Sequence, residues 1–222
     1  MDAASIISSW KRRLIELADN PEFVFRDTPQ HLIEEDYQRL TIFIGYAEQD
    51  VAEVEARLGV RFPSVFRQYL LEMAKSPGDL FQGSDLAGLT KFDQFRADAQ
   101  TLMAETDPLL TLPREAVVFL FHQGYTFLYM VAVGGFDGPP MQWTEGEREP
   151  CQVAAGFADM VDAELQLMES NHRASRERGG YYKSLFPEGG GSMHFPALGS
   201  GERPLDQFPP ESPGGESGSK NN

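Results

Sequence analysis

Two apolar runs separated by only three residues constrain the fold of this chain most strongly. AVVFLFH occupies residues 116–122, TFLYMVAV occupies residues 126–133, and QGY lies between them. Both runs are rich in β-branched and aromatic residues, so their spacing predicts neighbouring antiparallel strands. Because the runs are nearly continuous rather than alternating, we expect helices to cover each strand on at least one face.

Helical patterns surround the two strands. Apolar residues recur every three or four positions in four segments, a spacing that places them on one face of a helix. These segments are residues 3–18, 48–58, 91–103 and 156–168. Gly59 follows the second segment as a predicted C-terminal cap. Pro63 is predicted to begin a further helix, because its missing N–H costs nothing at the first helical position.

Further signals divide the chain into three parts. MQWTE and CQVAA flank the turn GEREP and predict two more short strands. Residues 1–45 are predicted as an N-terminal helical extension and residues 46–170 as the main domain. Residues 171–222 form a tail that is charged first and then rich in Gly, Pro and Ser. We expect the tail to be disordered, because it has too little apolar content to offset its ordering entropy.

Composition restricts the partners and the compartment. The formal net charge of −15 disfavours direct contact with nucleic acid or acidic lipid and favours basic partners, although acidity alone also keeps a protein soluble. Cys151 is the single cysteine, which excludes an internal disulfide. The order of charges in MDAASIISSWKRR is wrong for a secretory signal, and no apolar run approaches the roughly 20 residues of a membrane span. We predict a soluble cytoplasmic protein.

No residue pattern predicts catalysis, a metal or a cofactor. The four histidines are scattered and form no HExxH pair, GxSxG is absent, and the glycines at 134, 135 and 138 lack a following Gly-Lys-Ser/Thr sequence. His122 is interpreted as a hydrogen-bonded turn residue, and Cys151 as a core residue rather than a nucleophile. We predict that the chain is not an enzyme, and an enzymatic function stays open as a third hypothesis.

The acidic turn of the chain has two interpretations. Glu145, Glu147 and Glu149 alternate, so in an extended segment they would share one face. Three carboxylates can hold a divalent cation, but Arg148 lies among them and no further acidic ligands can be assigned. A solvated turn that is free to meet a basic partner is therefore favoured.

The order of these features resembles the SUKH superfamily. Members of this superfamily carry a helix that ends in an LG pair, followed by an hPxxhxxhL segment in which h is hydrophobic. The matching residues here are Leu58, Gly59, Phe62, Pro63, Phe66, Tyr69 and Leu70. VVFLFHQGYTFLYM resembles the paired strands of the superfamily, and DGPPMQWTEGEREPCQVAAGFADMV resembles its closing segment, with Phe157 near the start of the last helix. The resemblance covers residues 46–168.

This resemblance implies a fold class and a function. The fold is α+β, with a central antiparallel β-sheet flanked by helices. Members include bacterial immunity proteins that neutralise toxins, often nucleases or deaminases, and eukaryotic protein-interaction modules. The resemblance therefore implies binding without catalysis.

Two binding functions remain open. The first is an immunity protein of a bacterial polymorphic toxin system that binds a basic, nuclease-type toxin domain, because an acidic binder accelerates the encounter and competes with nucleic acid. The second is an intracellular scaffold or regulator that uses the same domain. Trp143 is a candidate aromatic anchor if its strand face is exposed. The candidate partner-binding residues are Asp79, Asp85, Asp137, Trp143, Glu145, Glu147 and Glu149.

Overall fold

The computed structural model describes residues 2–19, 23–25, 29–135, 137–177 and 181–183. Helices within these residues are α1 (Ala3–Ala18), α2 (Gln30–Thr41), α3 (Glu48–Leu58), α4 (Ser64–Glu72), α5 (Phe92–Thr106) and α6 (Phe157–Glu177). Strands are β1 (Phe23–Phe25), β2 (Ser84–Leu86), β3 (Ala116–His122), β4 (Thr126–Val131), β5 (Met141–Thr144), β6 (Cys151–Gln152) and β7 (Tyr181–Lys183). None of the described helices is long and apolar enough to span a bilayer.

A five-stranded antiparallel sheet forms the centre of the fold. Its strand order is β2-β3-β4-β5-β6, and each strand pairs with its neighbour in the chain. The predicted pair β3 and β4 is joined by a tight turn, with Phe121 opposite Phe127. A register shift between Val118 and Leu120 interrupts this pair. The predicted α+β fold with an antiparallel sheet flanked by helices is confirmed.

Helices cover both faces of this sheet. Phe95 of α5 packs on Phe121 of β3, with ring centroids 5.1 Å apart. Leu120, the preceding residue of β3, lines a groove together with Met160 of α6. Because successive side chains of a strand point to opposite faces, α5 and α6 lie on opposite sides of the sheet.

An aromatic cluster joins the sheet to α4, α5 and α6. Phe66 of α4 is buried, and its ring centroid lies 5.0 Å from that of Phe157 in α6 and 5.8 Å from that of Phe119 in β3. Its other ring contacts are Phe62, Tyr69 and Phe92. Phe66 and Phe157 both belong to the motifs that resemble the SUKH superfamily, so the motif residues build the core.

The first helix is part of the same core. Ile7, Trp10 and Leu14 of α1 are buried, and the Trp10 ring makes an edge contact with Phe157 at 6.0 Å. The Trp10 indole N–H donates to the Asp162 carboxylate at 3.0 Å. Residues 3–18 are therefore helical as predicted, and they pack against α4 and α6.

Several predicted boundaries differ from the observed ones. Neither strand β2 nor helix α2 was predicted. Pro63 is the N-cap of α4, which begins one residue later than predicted. Helix α6 continues through residues 171–177, which were assigned to the tail. Strand β7, Tyr181–Lys183, also lies in this tail, for which disorder was predicted over residues 171–222, and the remainder of the tail falls outside the described residues.

We predict that replacing Phe66 by alanine destabilises the whole fold. Because this substitution removes a buried ring from the centre of the aromatic cluster, the free energy of unfolding should fall by about 3–5 kcal/mol. Urea denaturation of the full chain measures this change. A loss below about 1 kcal/mol, the size expected of an ordinary substitution, would contradict the central position of Phe66.

Tyr69 provides a matched control in the same cluster. Its hydroxyl is buried and has no hydrogen-bond partner among the described residues, and burial raises its pKa. Since an unsatisfied buried hydroxyl costs free energy, Tyr69→Phe should leave the stability unchanged or increase it. A clear loss of stability in the same urea experiment would show that the hydroxyl has a partner after all.

Candidate protein-binding surface

The three alternating glutamates lie on a turn that projects from the sheet. This acidic turn, residues 145–150, connects β5 to β6, and Glu145, Glu147 and Glu149 are exposed. The Glu145 N–H donates to the Tyr125 carbonyl at 2.8 Å, and the Glu147 N–H donates to the Thr144 carbonyl at 3.0 Å. Backbone hydrogen bonds thus hold the turn while its carboxylates meet solvent.

Trp143 supports the acidic turn from inside the protein. Its side chain is completely buried, so the condition for an exposed anchor is not met and the predicted contact with a partner is wrong. The ring stacks on Phe127 with centroids 5.4 Å apart, on the face of the sheet that α5 covers. Its indole N–H donates to the Glu147 carbonyl at 3.0 Å. Trp143 therefore positions the acidic turn instead of contacting a partner.

A second connection joins the acidic turn to the end of α5. The Gly146 N–H donates to the Thr106 hydroxyl at 3.3 Å. This bond brings the C-terminal end of α5, which carries Glu105 and Asp107, beside the turn. Sequence reasoning missed this neighbour because the two segments are 40 residues apart. The acidic surface therefore extends beyond the turn itself.

Asp79 and Asp85 lie away from this surface. Asp79 forms an ion pair with Arg39 at 3.4 Å, in a cleft near α1, α2 and α6. Asp85 is exposed on β2. Strand β2 and strand β5 are three strand spacings apart, which amounts to about 14 Å. The structure therefore does not bring these two carboxylates to the acidic turn.

The Asp137 carboxylate contacts the backbone at the start of α6. It is half-buried and accepts a hydrogen bond from the Phe157 N–H at 3.4 Å, at the first residue of α6. Burial raises the pKa of this carboxyl, and the hydrogen bond from Phe157 opposes that effect. The position is that of a capping group, which satisfies a backbone donor at a helix N-terminus.

His122 and Cys151, the two residues weighed for a catalytic role, lie on strands of the central sheet. His122 pairs directly with Ser84 across β3 and β2, and its Nδ1 lies 3.0 Å from the Ser84 hydroxyl, as expected of cross-strand neighbours. Cys151 was predicted to be a core residue, but it is exposed because β6 is a two-residue edge strand. Among the described residues, no group of three or more His, Cys, Asp and Glu side chains could hold a metal ion.

We predict that Trp143→Phe loosens the acidic turn without unfolding the chain. The variant keeps an aromatic ring in the core but loses the hydrogen bond to the Glu147 carbonyl, which should lower the stability by about 1 kcal/mol. Hydrogen exchange at the Glu145 and Glu147 amides should accelerate. Unchanged exchange at both amides would show that Trp143 does not support the turn.

Comparison with known proteins agrees with this architecture. The sequence profile of the SMI1 / KNR4 family (SUKH-1) matches residues 45–163, from three residues before α3 into α6. The match spans more than half of the chain and includes the whole five-stranded sheet. No curated protein sequence matches significantly. The chain belongs to the SMI1 / KNR4 family (SUKH-1).

Proposed function

We propose that the chain is a non-catalytic protein-binding domain, an immunity protein that binds and neutralises a basic, nuclease-type toxin in a bacterial polymorphic toxin system. Family membership is consistent with toxin immunity or protein interaction. The observation that carries the proposal is the acidic turn, whose three exposed carboxylates are held on the core by Trp143.

The charge of this turn is available to a partner. Among the described residues, none of the carboxylates of Glu145, Glu147 and Glu149 takes part in an ion pair. Such carboxylates attract Lys and Arg side chains, which a nuclease needs in order to approach phosphates. A binder that covers those side chains steers the encounter and also competes with the nucleic acid. Binding alone therefore suffices to block the toxin.

A second candidate function is a scaffold or regulatory module. It is favoured by α2, in which none of the residues is buried. Leu32 and Tyr37 on this helix are 45% and 41% exposed, and Ile42 and Ile44 just after it are 52% and 51% exposed. Exposed large apolar side chains are a common feature of protein-interaction sites. A scaffold would use this apolar surface, whereas the proposed immunity protein uses the acidic turn.

Co-expression with the toxin domain encoded beside the gene tests the proposed function. The chain should restore growth and co-purify with the toxin domain. Removing residues 187–222 should leave most of this affinity in place, whereas a scaffold that depends on the tail should lose partners in a pull-down. Continued killing without a complex would exclude the immunity function.

We predict that neutralising the acidic turn slows association with the toxin domain. Replacing Glu145, Glu147 and Glu149 together by glutamine should lower the association rate constant about tenfold at low salt, because electrostatic steering is reduced. The difference should shrink as salt screens the charges. Stopped-flow or surface plasmon resonance measurements over a range of salt concentrations provide the rates.

A variant with the same change in net charge serves as the control. Glu34, Glu35 and Glu53 are exposed on α2 and α3, away from the acidic turn. Replacing these three by glutamine should reduce the rate much less than the change at the turn. Equal effects of the two triple variants would mean that only the net charge matters and that the turn is not the contact.

A further inference from the structure

A groove separates α6 from one face of the five-stranded sheet. Leu120 and Leu128 on β3 and β4 form its floor, and Met160 and Leu167 of α6 form the opposite wall. The groove has a volume of about 470 Å³ and is open to solvent. It is large enough for the side chains of a short extended segment.

The apolar lining of this groove is incompletely covered. Leu167 is 57% exposed, and Tyr125 and Val153 at the rim are 42% and 39% exposed. Apolar side chains left open along one groove can bury further area when a partner packs on them. The lining therefore favours an occupant with apolar side chains.

Glu164 gives the groove a charge preference. It is the only carboxylate that lines the groove, and no Lys or Arg is among the described lining residues. The side chain is half-buried, and burial raises the pKa of its carboxyl. Among the described residues it has no ion-pair or hydrogen-bond partner. A cation entering the groove would offset the lost solvation of this carboxylate.

The groove also meets the acidic turn. Tyr125 lines the groove, and its carbonyl accepts the Glu145 N–H at 2.8 Å. Thr126, which also lines the groove, donates its hydroxyl to that of Thr144, the residue just before the turn, at 3.1 Å. A basic segment attracted to the acidic turn thus lies beside a groove that carries one further carboxylate.

We propose that this groove binds an extended segment of the protein partner that carries a Lys or Arg between apolar residues. The cation pairs with Glu164, and the apolar residues two positions before and after it, which share its face of the extended segment, pack on Leu128 and Leu167. The inference rests on the proposed function, because the segment belongs to the same basic partner that the acidic turn attracts. The turn supplies long-range attraction, and the groove supplies short-range specificity.

Two synthetic peptides test the groove without knowledge of the partner. Acetyl-Val-Leu-Arg-Leu-Val-amide is titrated into the isotope-labelled full chain, and the same peptide with Gln in place of Arg is the reference. The Arg peptide should bind at least about fivefold more tightly, since a charge-assisted contact replaces a neutral one. The methyl signals of Leu120, Leu128, Met160 and Leu167 should shift. Equal affinities, or shifts scattered outside the groove, would overturn the proposal.

Glu164→Gln and Asp98→Asn form a matched pair of variants. Glu164→Gln should reduce the affinity for the Arg peptide to that for the Gln peptide. Asp98 is exposed on α5, behind the opposite face of the sheet, so Asp98→Asn removes one charge without changing the groove. It should leave peptide binding unchanged. If Glu164→Gln has no more effect than Asp98→Asn, Glu164 does not pair with the cation.

Thermal unfolding establishes that Glu164→Gln folds. Because the folded state raises the pKa of Glu164, the native chain binds more protons than the unfolded chain between the ordinary glutamate pKa and the raised value. The stability of the wild-type chain relative to Glu164→Gln should therefore decline as the pH rises through that window. Glu164→Gln is thus expected to unfold at the same or a higher temperature at neutral pH.

The toxin domain encoded beside the gene separates this inference from the proposed function. Leu167→Lys places a cation one helical turn from Glu164, where the two side chains can form an ion pair within the chain. Because Glu164 is then no longer free to pair with the partner, the toxin complex should weaken at least about tenfold. If neither Leu167→Lys nor Glu164→Gln weakens binding of the toxin domain, the proposal that the groove binds the partner is overturned. The immunity function would then be left intact. Selective peptide binding without any toxin complex would support the groove and count against immunity.

Discussion

The packing of Phe66 against Phe157 joins the parts of this structure that lie far apart in the chain. Phe66 comes from α4 and Phe157 from the start of α6, and both touch Phe119 of the central sheet. Trp10 brings the first helix to the same cluster through its contact with Phe157. Burial of these large aromatic side chains stabilises the contact between the sheet and the helices. The groove and the sheet face beneath it depend on this cluster, because it sets where α6 begins.

Sequence patterns predicted the elements whose residues face the core. Helices α1 and α3 and strand β3 have the predicted bounds, because their apolar periodicity reflects burial on one or both faces. Strand β2 has only three residues and was missed, since tertiary pairing with β3 rather than its own composition makes it a strand. Helix α2 was missed for a related reason: none of its residues is buried.

The candidate surface was less predictable than the fold. The exposure of Glu145, Glu147 and Glu149 follows from the turn signal between two strands. The burial of the Trp143 side chain could not be predicted from the sequence, because a strand of four residues does not reveal which face is buried. Likewise, only the folded chain shows that Asp137 caps α6 and that Asp79 pairs with Arg39. Contacts between distant segments decide which carboxylates are available, and the carboxylates of the acidic turn and of Glu164 are among those without an ion-pair partner in the described residues.

In the proposed function, the charged turn attracts a basic partner and the neighbouring apolar groove holds one of its segments, so that binding requires no catalytic group. The most direct test is amide hydrogen exchange of the full chain, alone and with the toxin domain encoded beside the gene. Protection on binding should be concentrated in residues 144–150 and 160–167. Protection confined to α2, with the acidic turn and α6 unchanged, would contradict this expectation.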